Sequence, residues 1–324
     1  MSSKMFVNVE GCTKNWASTV MDVDGINNPE KGILFGSITP LHVCNQKCPY
    51  CYVPDNHAVQ ACLDKTQWSK EQVDTILGKI KQHPGTFEFQ ILGGEPLLWK
   101  NLEYFLQEAE KVPNIRRMYV TTNGKTSPKG RLTKVYPKSS EILISIHPTE
   151  IADVSNIIKN GKLYESMGYK VFYKIMCFQV KGIRAKVEKF IDQFEGAGLL
   201  DQVYTGYIQL NNQPYAEVIP VTWKPTRIKS LITYRYDNGL CLDEGELFSF
   251  SNTNRINRFT GWTCYQNMFH VFLNGDVYIG CRGAKTLNIF KDDISSLHVL
   301  KTKCCNAACT TNCPIVQLKL KENR

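Results

Sequence analysis

Short apolar segments of strand length alternate with amphipathic segments of helical length between residues 33 and 210. Six strands are predicted at residues 33–41, 87–92, 117–122, 142–146, 171–178 and 203–210, and helices at residues 70–82, 102–111, 154–167 and 184–194. Strand–helix alternation with right-handed crossovers builds a parallel sheet. The chain is therefore predicted to be an α/β protein, with either an open doubly wound sheet or a partial barrel.

Four of the predicted strands end in short polar or cysteine-rich motifs. The first leads into CNQKCPYC at residues 44–51, the second into GGEP at 93–96, the third into TTNG at 121–124 and the fourth into SIHP at 145–148. Ligands bind at the carboxyl ends of parallel strands in both open sheets and barrels. These four motifs are therefore expected on one rim.

The chain has thirteen cysteines in 324 residues, and their role depends on the compartment of the protein. The first ten residues lack the features of a secretory signal, and no run approaches the ~18 apolar residues that span a bilayer. A cytoplasmic chain without a membrane partner is the expectation. Because disulfides are rare in that compartment, clustered cysteines indicate metal ligands or reactive thiols.

Cys44, Cys48 and Cys51 supply three thiols in eight residues, and the next cysteine is Cys62. A structural zinc ion takes four protein ligands, whereas a cubane iron–sulfur cluster held by three leaves one iron open to substrate or cofactor. The cluster is the favoured interpretation. A partial zinc site or unrelated thiols are the alternatives.

The CNQKCPYC segment resembles the CxxxCxxC signature of the radical S-adenosylmethionine superfamily, with Tyr50 in the aromatic position before the third cysteine. The Gly93-Gly94-Glu95-Pro96 segment is similar to the GGEP motif of that family. The resemblance covers residues 32–210 and implies a partial (β/α)6 barrel similar to a TIM barrel. Without the cysteine motif, the same four residues would fit a turn followed by a helix whose first residue is proline.

The resemblance implies a [4Fe-4S] cluster on Cys44, Cys48 and Cys51 whose open iron binds the methionine moiety of S-adenosylmethionine. An electron from the cluster would cleave the cofactor to methionine and a 5′-deoxyadenosyl radical, which abstracts a substrate hydrogen. The residues expected at the cofactor are Tyr50, Gly93, Gly94, Glu95, Pro96, Thr122, Asn123, Ser145 and Lys174. The last four also fit roles as strand-end caps or turn residues, and His147 fits either a turn or a catalytic role.

The carboxyl third departs from the strand–helix alternation. Residues 211–260 are expected to be a linker or cap after an extension at 1–31, and Asn274-Gly275 predicts a hairpin with a type I′ turn. Residues 261–324 resemble the SPASM or shortened twitch domains, which carry an auxiliary iron–sulfur cluster. Six cysteines are its candidate ligands: Cys264, Cys281, Cys304, Cys305, Cys309 and Cys313. This cysteine tail is shorter than the full SPASM pattern, so one auxiliary cluster is expected, with a second cluster or a structural zinc as alternatives.

Four cysteines remain: Cys12, Cys62, Cys177 and Cys241. If the reaction is an epimerisation, Cys241 or Cys177 is a candidate hydrogen-atom donor. Cys177 also fits an inert buried cysteine in an apolar strand.

The family resemblance implies a radical enzyme that modifies a peptide or protein and takes electrons from a donor such as flavodoxin or ferredoxin. Modification or dehydrogenation of a small molecule, nucleotide or nucleic acid is the alternative. A net charge of +9 permits nucleic acid as a partner without indicating it. A non-catalytic iron–sulfur or zinc protein is the alternative of another class.

Overall fold

A computed structural model describes residues 4–9, 33–51, 67–177, 182–207, 225, 227–230, 232–236, 241–243, 263–279, 285–303 and 317–320. The strands in chain order are β1 (Lys4–Val9), β2 (Leu34–Ile38), β3 (Phe87–Ile91), β4 (Ile115–Thr122), β5 (Glu141–Ile146), β6 (Lys170–Cys177), β7 (Val203–Tyr207), β8 (Lys229–Ser230), β9 (Ile232–Tyr236), β10 (Cys241–Asp243), β11 (Thr263–Gln266), β12 (Met268–Val271), β13 (Asp276–Ile279), β14 (Lys285–Asn288), β15 (Leu300–Lys303) and β16 (Gln317–Leu320). The helices are α1 (Lys70–Gln82), α2 (Leu102–Glu110), α3 (Ser155–Ser166) and α4 (Ile183–Gly196).

The chain divides into two compact units, each built from separated stretches of sequence. One unit consists of Ile33–Tyr173 and Met268–His298, and is called the sheet unit below. The second unit consists of Met1–Gly32, Lys174–Asn267 and Val299–Arg324. The domains predicted from the sequence are instead consecutive stretches of chain with boundaries at residues 31, 210 and 260, and they stay a prediction.

In the sheet unit, β2, β3, β4 and β5 lie side by side in chain order and pair in parallel. Helix α1 connects β2 to β3, α2 connects β3 to β4, and α3 follows β5. Parallel neighbours joined by helices are the βαβ arrangement. The predicted α/β class with a parallel-rich sheet is therefore confirmed.

Helix α1 shows why these segments become helices where they do. The Ser69 hydroxyl accepts a hydrogen bond from Gln72 N at 3.3 Å, and the Gln72 side chain accepts one from Ser69 N at 2.9 Å, which is a capping box. Its buried residues follow the helical period at Val73, Ile76, Leu77 and Ile80. The helix thus buries one apolar stripe, as its sequence predicts.

The hairpin formed by β12 and β13 extends the parallel sheet of the sheet unit, while its assignment to a carboxyl-terminal domain at residues 261–324 stays a prediction. Strand β12 pairs in parallel with β2, and His270 is in register with Ser37. The Phe269 ring packs edge-on against Phe89 at a centroid distance of 6.0 Å. A Cβ on Gly36 would lie 2.6 Å from the Phe269 ring, so the absent side chain makes room for this strand.

The turn of this hairpin differs from the predicted type I′ turn. Gly275 N donates to Phe272 O at 2.8 Å and Phe272 N donates to Asp276 O at 2.9 Å, so three residues form the loop rather than the two of a type I′ turn. Gly275 has a φ of +85°, which glycine adopts without strain. The Asn274 side chain accepts from Asp276 N at 3.1 Å and stabilises this longer turn.

The second unit contains an antiparallel sheet with the strand order β10-β9-β1-β16-β11-β15. Strand β1 lies between β9 and β16, so residues expected to be an extension or a linker form strands here. Strands β7 and β8 pair in parallel in the same unit. In the described part of the chain, no helix combines the length and apolar character needed to cross a membrane.

Candidate functional site

The cysteine loop, residues 44–51, follows the carboxyl end of β2 and is tied through its preceding residues to the glycine loop after β3. Gly94 N donates to Leu41 O at 3.0 Å, and Glu95 N donates to Val43 O at 2.7 Å. A Cβ on Gly94 would lie only 2.0 Å from Val43 O. Glycine is therefore required here because two stretches of backbone touch.

The Glu95 side chain is fully buried and braces two strand ends. Its carboxylate accepts hydrogen bonds from the Thr122 hydroxyl at 2.6 Å, from Asn123 N at 2.8 Å and from Leu97 N at 3.0 Å. Burial raises the pKa of Glu95, and these three donors act in the opposite direction. Pro96 is the first residue of a short 3-10 helix, Pro96–Leu98. The Glu95 carboxylate thus has protein partners on both oxygens.

Asn123 continues this network from the end of β4 to the cysteine loop. Its side-chain amide donates to Asn45 Oδ1 at 2.7 Å and lies 3.8 Å from Cys44 Sγ. Glu95, Asn123 and Cys44 therefore form a connected chain of contacts. Three of the four motifs predicted to share one rim are brought together by these bonds.

The three loop cysteines have side chains of intermediate exposure. Burial raises the pKa of Cys44 to about 11 and that of Cys48 to about 12. Repulsion from Cys51 raises both further, so the three thiols lie close enough to interact. No group of three His, Cys, Asp or Glu side chains in the described part of the chain is arranged as a finished metal site.

The donor set nevertheless suits an iron–sulfur cluster. Thiolates are the ligands that such clusters use, and three of them lie on one short loop. The buried Gln46 side chain accepts from Cys48 Sγ at 3.8 Å, while its Nε2 atom lacks a hydrogen-bond partner among the described residues. An unused donor beside the thiols could bond a cluster sulfide, because hydrogen bonds to the sulfurs are common at such centres.

The fourth motif contacts the cysteine loop through side chains. The Tyr50 hydroxyl lies 2.9 Å from His147 Nδ1, and their ring centroids are 5.8 Å apart. Lys47 N donates to Glu150 Oε2 at 3.0 Å. Ser145 is half-buried near the end of β5. His147 and Glu150, which follow β5, therefore contact the cysteine loop, and a cofactor contact for Ser145 stays a prediction.

The residues that sequence reasoning missed are Asn45, Gln46 and Glu150. The first two occupy the variable positions of the cysteine motif, where only the cysteines attract notice. Glu150 follows His147 by three residues in a turn closed by Glu150 N and His147 O at 2.9 Å. Two polar residues three positions apart, directly after the end of a predicted strand, could have indicated Glu150 from the sequence.

Two predicted site residues on β6 belong to the second unit. Lys174 lies over Gly206, since a Cβ on Gly206 would be 1.8 Å from Lys174 Cε. Cys177 is buried, and its thiol donates to Ile175 O at 3.6 Å. Burial raises the pKa of Cys177 to about 12, which fits the alternative of an inert core cysteine. Their roles toward cofactor and substrate stay predictions.

The remaining predicted ligands and donors fall mostly outside the described residues. Cys264 lies on β11 and Cys241 on β10. The cysteines outside the described residues are Cys12, Cys62, Cys281, Cys304, Cys305, Cys309 and Cys313. The auxiliary cluster therefore stays a prediction.

The fold and site define an α/β protein in which the segment before a three-thiol loop is hydrogen-bonded to a glycine loop at the carboxyl ends of parallel strands. Residues 38–165 match the model of the Radical SAM superfamily. The match includes both the cysteine motif and the GGEP motif, and it agrees with the resemblance that those motifs indicated.

Curated relatives match parts of the chain. The GTP 3′,8-cyclase of a Picosynechococcus species is 34% identical over 86 residues, which are 26% of this chain and 26% of that protein. The GTP 3′,8-cyclase of Xanthomonas campestris pv. campestris is 24% identical over 176 residues, half of each chain. The chain therefore spans half or less of the length of these relatives.

Solved structures with a related chain path have low similarity. The anSMEcpe protein with bound AdoMet has a TM-score of 0.49 at 14% identity, covering 82% of this chain and 80% of that one. Streptococcus suis SuiB bound to S-adenosylmethionine has a TM-score of 0.47 at 14% identity, covering 86% of this chain and 66% of that one. At TM-scores below 0.5 these structures carry no weight for the function.

Proposed function

We propose that this chain is a radical S-adenosylmethionine enzyme. In this proposal Cys44, Cys48 and Cys51 hold a [4Fe-4S] cluster, and S-adenosylmethionine binds beside it. The observation that carries the proposal is the hydrogen bonding of the segment that leads into the three-thiol loop to the glycine loop, within the span of the Radical SAM match. When bound, the cluster supplies one electron that cleaves the sulfonium C–S bond, giving methionine and a 5′-deoxyadenosyl radical for hydrogen abstraction.

The residues of this chain position and shield the reacting groups. The missing side chains of Gly93 and Gly94 make room for the backbone of Leu41 and Val43, which holds the glycine loop against the segment before the cysteines. Glu95 fixes that loop through Thr122 and Asn123, which supports a positioning role for its carboxylate. Ser145 and Tyr50 remain candidates for direct contact with the cofactor, and Lys174 is a further candidate from the second unit.

We propose a peptide or protein as the substrate, on the basis of the cysteine-rich carboxyl segment and its resemblance to auxiliary-cluster domains. A nucleotide is the second candidate, favoured by the curated relatives named GTP 3′,8-cyclase. A flavodoxin or ferredoxin is the proposed electron donor. Each of these assignments rests on similarity, so each needs its own measurement.

Product analysis tests the reaction. The full chain, reconstituted with iron and sulfide without oxygen and reduced with dithionite, is incubated with S-adenosylmethionine. We expect 5′-deoxyadenosine and methionine from the parent chain and from Cys177→Ala. We expect neither product from Cys44→Ala, Cys48→Ala or Cys51→Ala. Equal product from the parent chain and the three loop variants would overturn the proposal.

Substrate class is tested by the response of this reaction to added compounds. GTP and a library of precursor peptides are added separately, and 5′-deoxyadenosine formation is compared with the rate without substrate. Stimulation by a peptide with a matching mass change supports a peptide modifier. Stimulation by GTP alone, with conversion of the nucleotide, would replace the first candidate by the second.

A further inference from the structure

Two hydrogen bonds join the cysteine loop to the turn after β5. Lys47 N donates to Glu150 Oε2 at 3.0 Å, and the Tyr50 hydroxyl bonds His147 Nδ1 at 2.9 Å. Lys47 and Tyr50 flank Cys48 on its two sides along the chain. His147 and Glu150 belong to one turn, closed by Glu150 N donating to His147 O at 2.9 Å. One turn thus holds the middle of the loop at two points.

The same contact places a negative charge beside a proposed ligand. Burial is the largest cause that raises the pKa of the Cys48 thiol, and repulsion from the Glu150 carboxylate is the second largest. Among the charged groups around Cys48, Glu150 therefore has the strongest effect. A fixed carboxylate near a cluster stabilises the oxidised state over the more negative reduced state, since charge and hydrogen bonding set the reduction potential.

We propose that the turn from His147 to Glu150 is a clasp that orders the cysteine loop before any cluster binds, and that Glu150 also lowers the reduction potential of the cluster on that loop. Glu150 is therefore a positioning residue with a separate electrostatic effect. The electrostatic half rests on the proposed function, whereas the ordering half concerns the loop alone. Substitutions can separate the two halves.

The ordering half is tested on the full chain without iron by hydrogen–deuterium exchange at the Lys47 amide. Glu150→Ala removes the acceptor, and we expect exchange about tenfold faster, as for loss of a hydrogen bond worth ~1.4 kcal/mol. Glu150→Gln retains an acceptor oxygen and is expected to exchange at the parent rate. The control Asp153→Ala removes a carboxylate that accepts from Ser155 N instead. Parent-like exchange in Glu150→Ala would overturn the clasp.

Tyr50→Phe tests the second contact, because it keeps the ring and removes only the hydroxyl. We expect faster amide exchange across residues 44–51 in this variant, and a faster loss of iron from the reconstituted chain. Exchange across this loop equal to that of the parent chain would show that the Tyr50 hydroxyl does not order it.

The electrostatic half is tested by redox titration of the reconstituted chain, followed by the electron paramagnetic resonance signal of the reduced cluster. Glu150→Gln keeps the hydrogen bond and removes the charge, so we expect a less negative midpoint potential. Asp153→Asn removes an exposed charge three residues further along the chain, whose carboxylate accepts from Ser155 N, and it is expected to leave the potential unchanged. A potential equal to that of the parent in Glu150→Gln would overturn this half. If no cluster assembles, the proposed function fails, while the exchange measurement still decides the clasp.

Discussion

The Thr122 hydroxyl donates a hydrogen bond of 2.6 Å to the fully buried carboxylate of Glu95, across the gap between the ends of β4 and β3. Asn123 N donates to the other carboxylate oxygen at 2.8 Å. The glutamate of the GGEP motif therefore works inside the protein, where it joins two strand ends. The adjacent glycine loop takes its position from this bond.

Glu95→Gln is expected to lower the free energy of unfolding by about 1–3 kcal/mol, because the amide group of glutamine would face the Asn123 N–H and leave it without an acceptor. Chemical denaturation measures the change. The control Glu108→Gln removes the half-buried partner of the exposed Lys111 and is expected to cost less than about 1 kcal/mol. Equal losses in the two variants would mean that the buried carboxylate does not brace the strand ends.

Gly94→Ala is expected to destabilise the chain by about 1–3 kcal/mol or more, since the new methyl group would displace the Val43 backbone. Gly78→Ala is the matched control: Gly78 lies in α1, where a Cβ would meet no heavy atom within 4 Å, and alanine there is expected to stabilise by about 0.5–1 kcal/mol. Thermal unfolding compares the two. A neutral Gly94→Ala would contradict the close backbone contact.

Iron and acid-labile sulfide measure how many clusters the chain holds. The triple variant of Cys44, Cys48 and Cys51 to Ala is expected to lose about four irons per chain relative to the parent. If an auxiliary cluster is present, about four irons remain in that variant. If the triple variant kept all its iron, the loop cysteines would not be cluster ligands. If it contained stoichiometric zinc and no iron, the prediction of an auxiliary iron–sulfur cluster would be wrong.

We expect the folded protein to lose stability in mild acid because of His270. Burial lowers the pKa of His270 from its ordinary value of 6.5 to about 4. Between these values the unfolded chain binds a proton that the folded chain does not, so the contribution of His270 is complete above about pH 6.5 and is lost as the pH falls toward 4.

Denaturation of the parent chain and His270→Gln at about pH 7 and pH 5 tests this prediction. The parent is expected to lose about 1–2 kcal/mol more than the variant between the two pH values. His298→Gln, at an exposed position, serves as the control and is expected to follow the parent. An equal loss in the parent and His270→Gln would contradict the prediction.

The sequence was sufficient for features that depend on local pattern. Apolar periodicity located α1 at Lys70–Gln82, and the strand ends carried motifs whose common rim follows from parallel pairing. It was insufficient for contacts between distant residues. Nothing local in Met268–Val271 indicates pairing with β2, and the buried direction of the Glu95 side chain depends on Thr122 and Asn123, 27 and 28 residues further along.

The pairing of β2 with β12 has a consequence for how the protein is made. The partner of Ile38 in this pair is Val271, about 230 residues later in the chain. At the usual ~5–20 residues per second, a ribosome needs on the order of ten to fifty seconds between the two strands. During that time one edge of β2 is open to pairing with other chains, which is a known route to aggregation. Synthesis in the cell therefore exposes the strand that precedes the cysteine loop until the hairpin emerges.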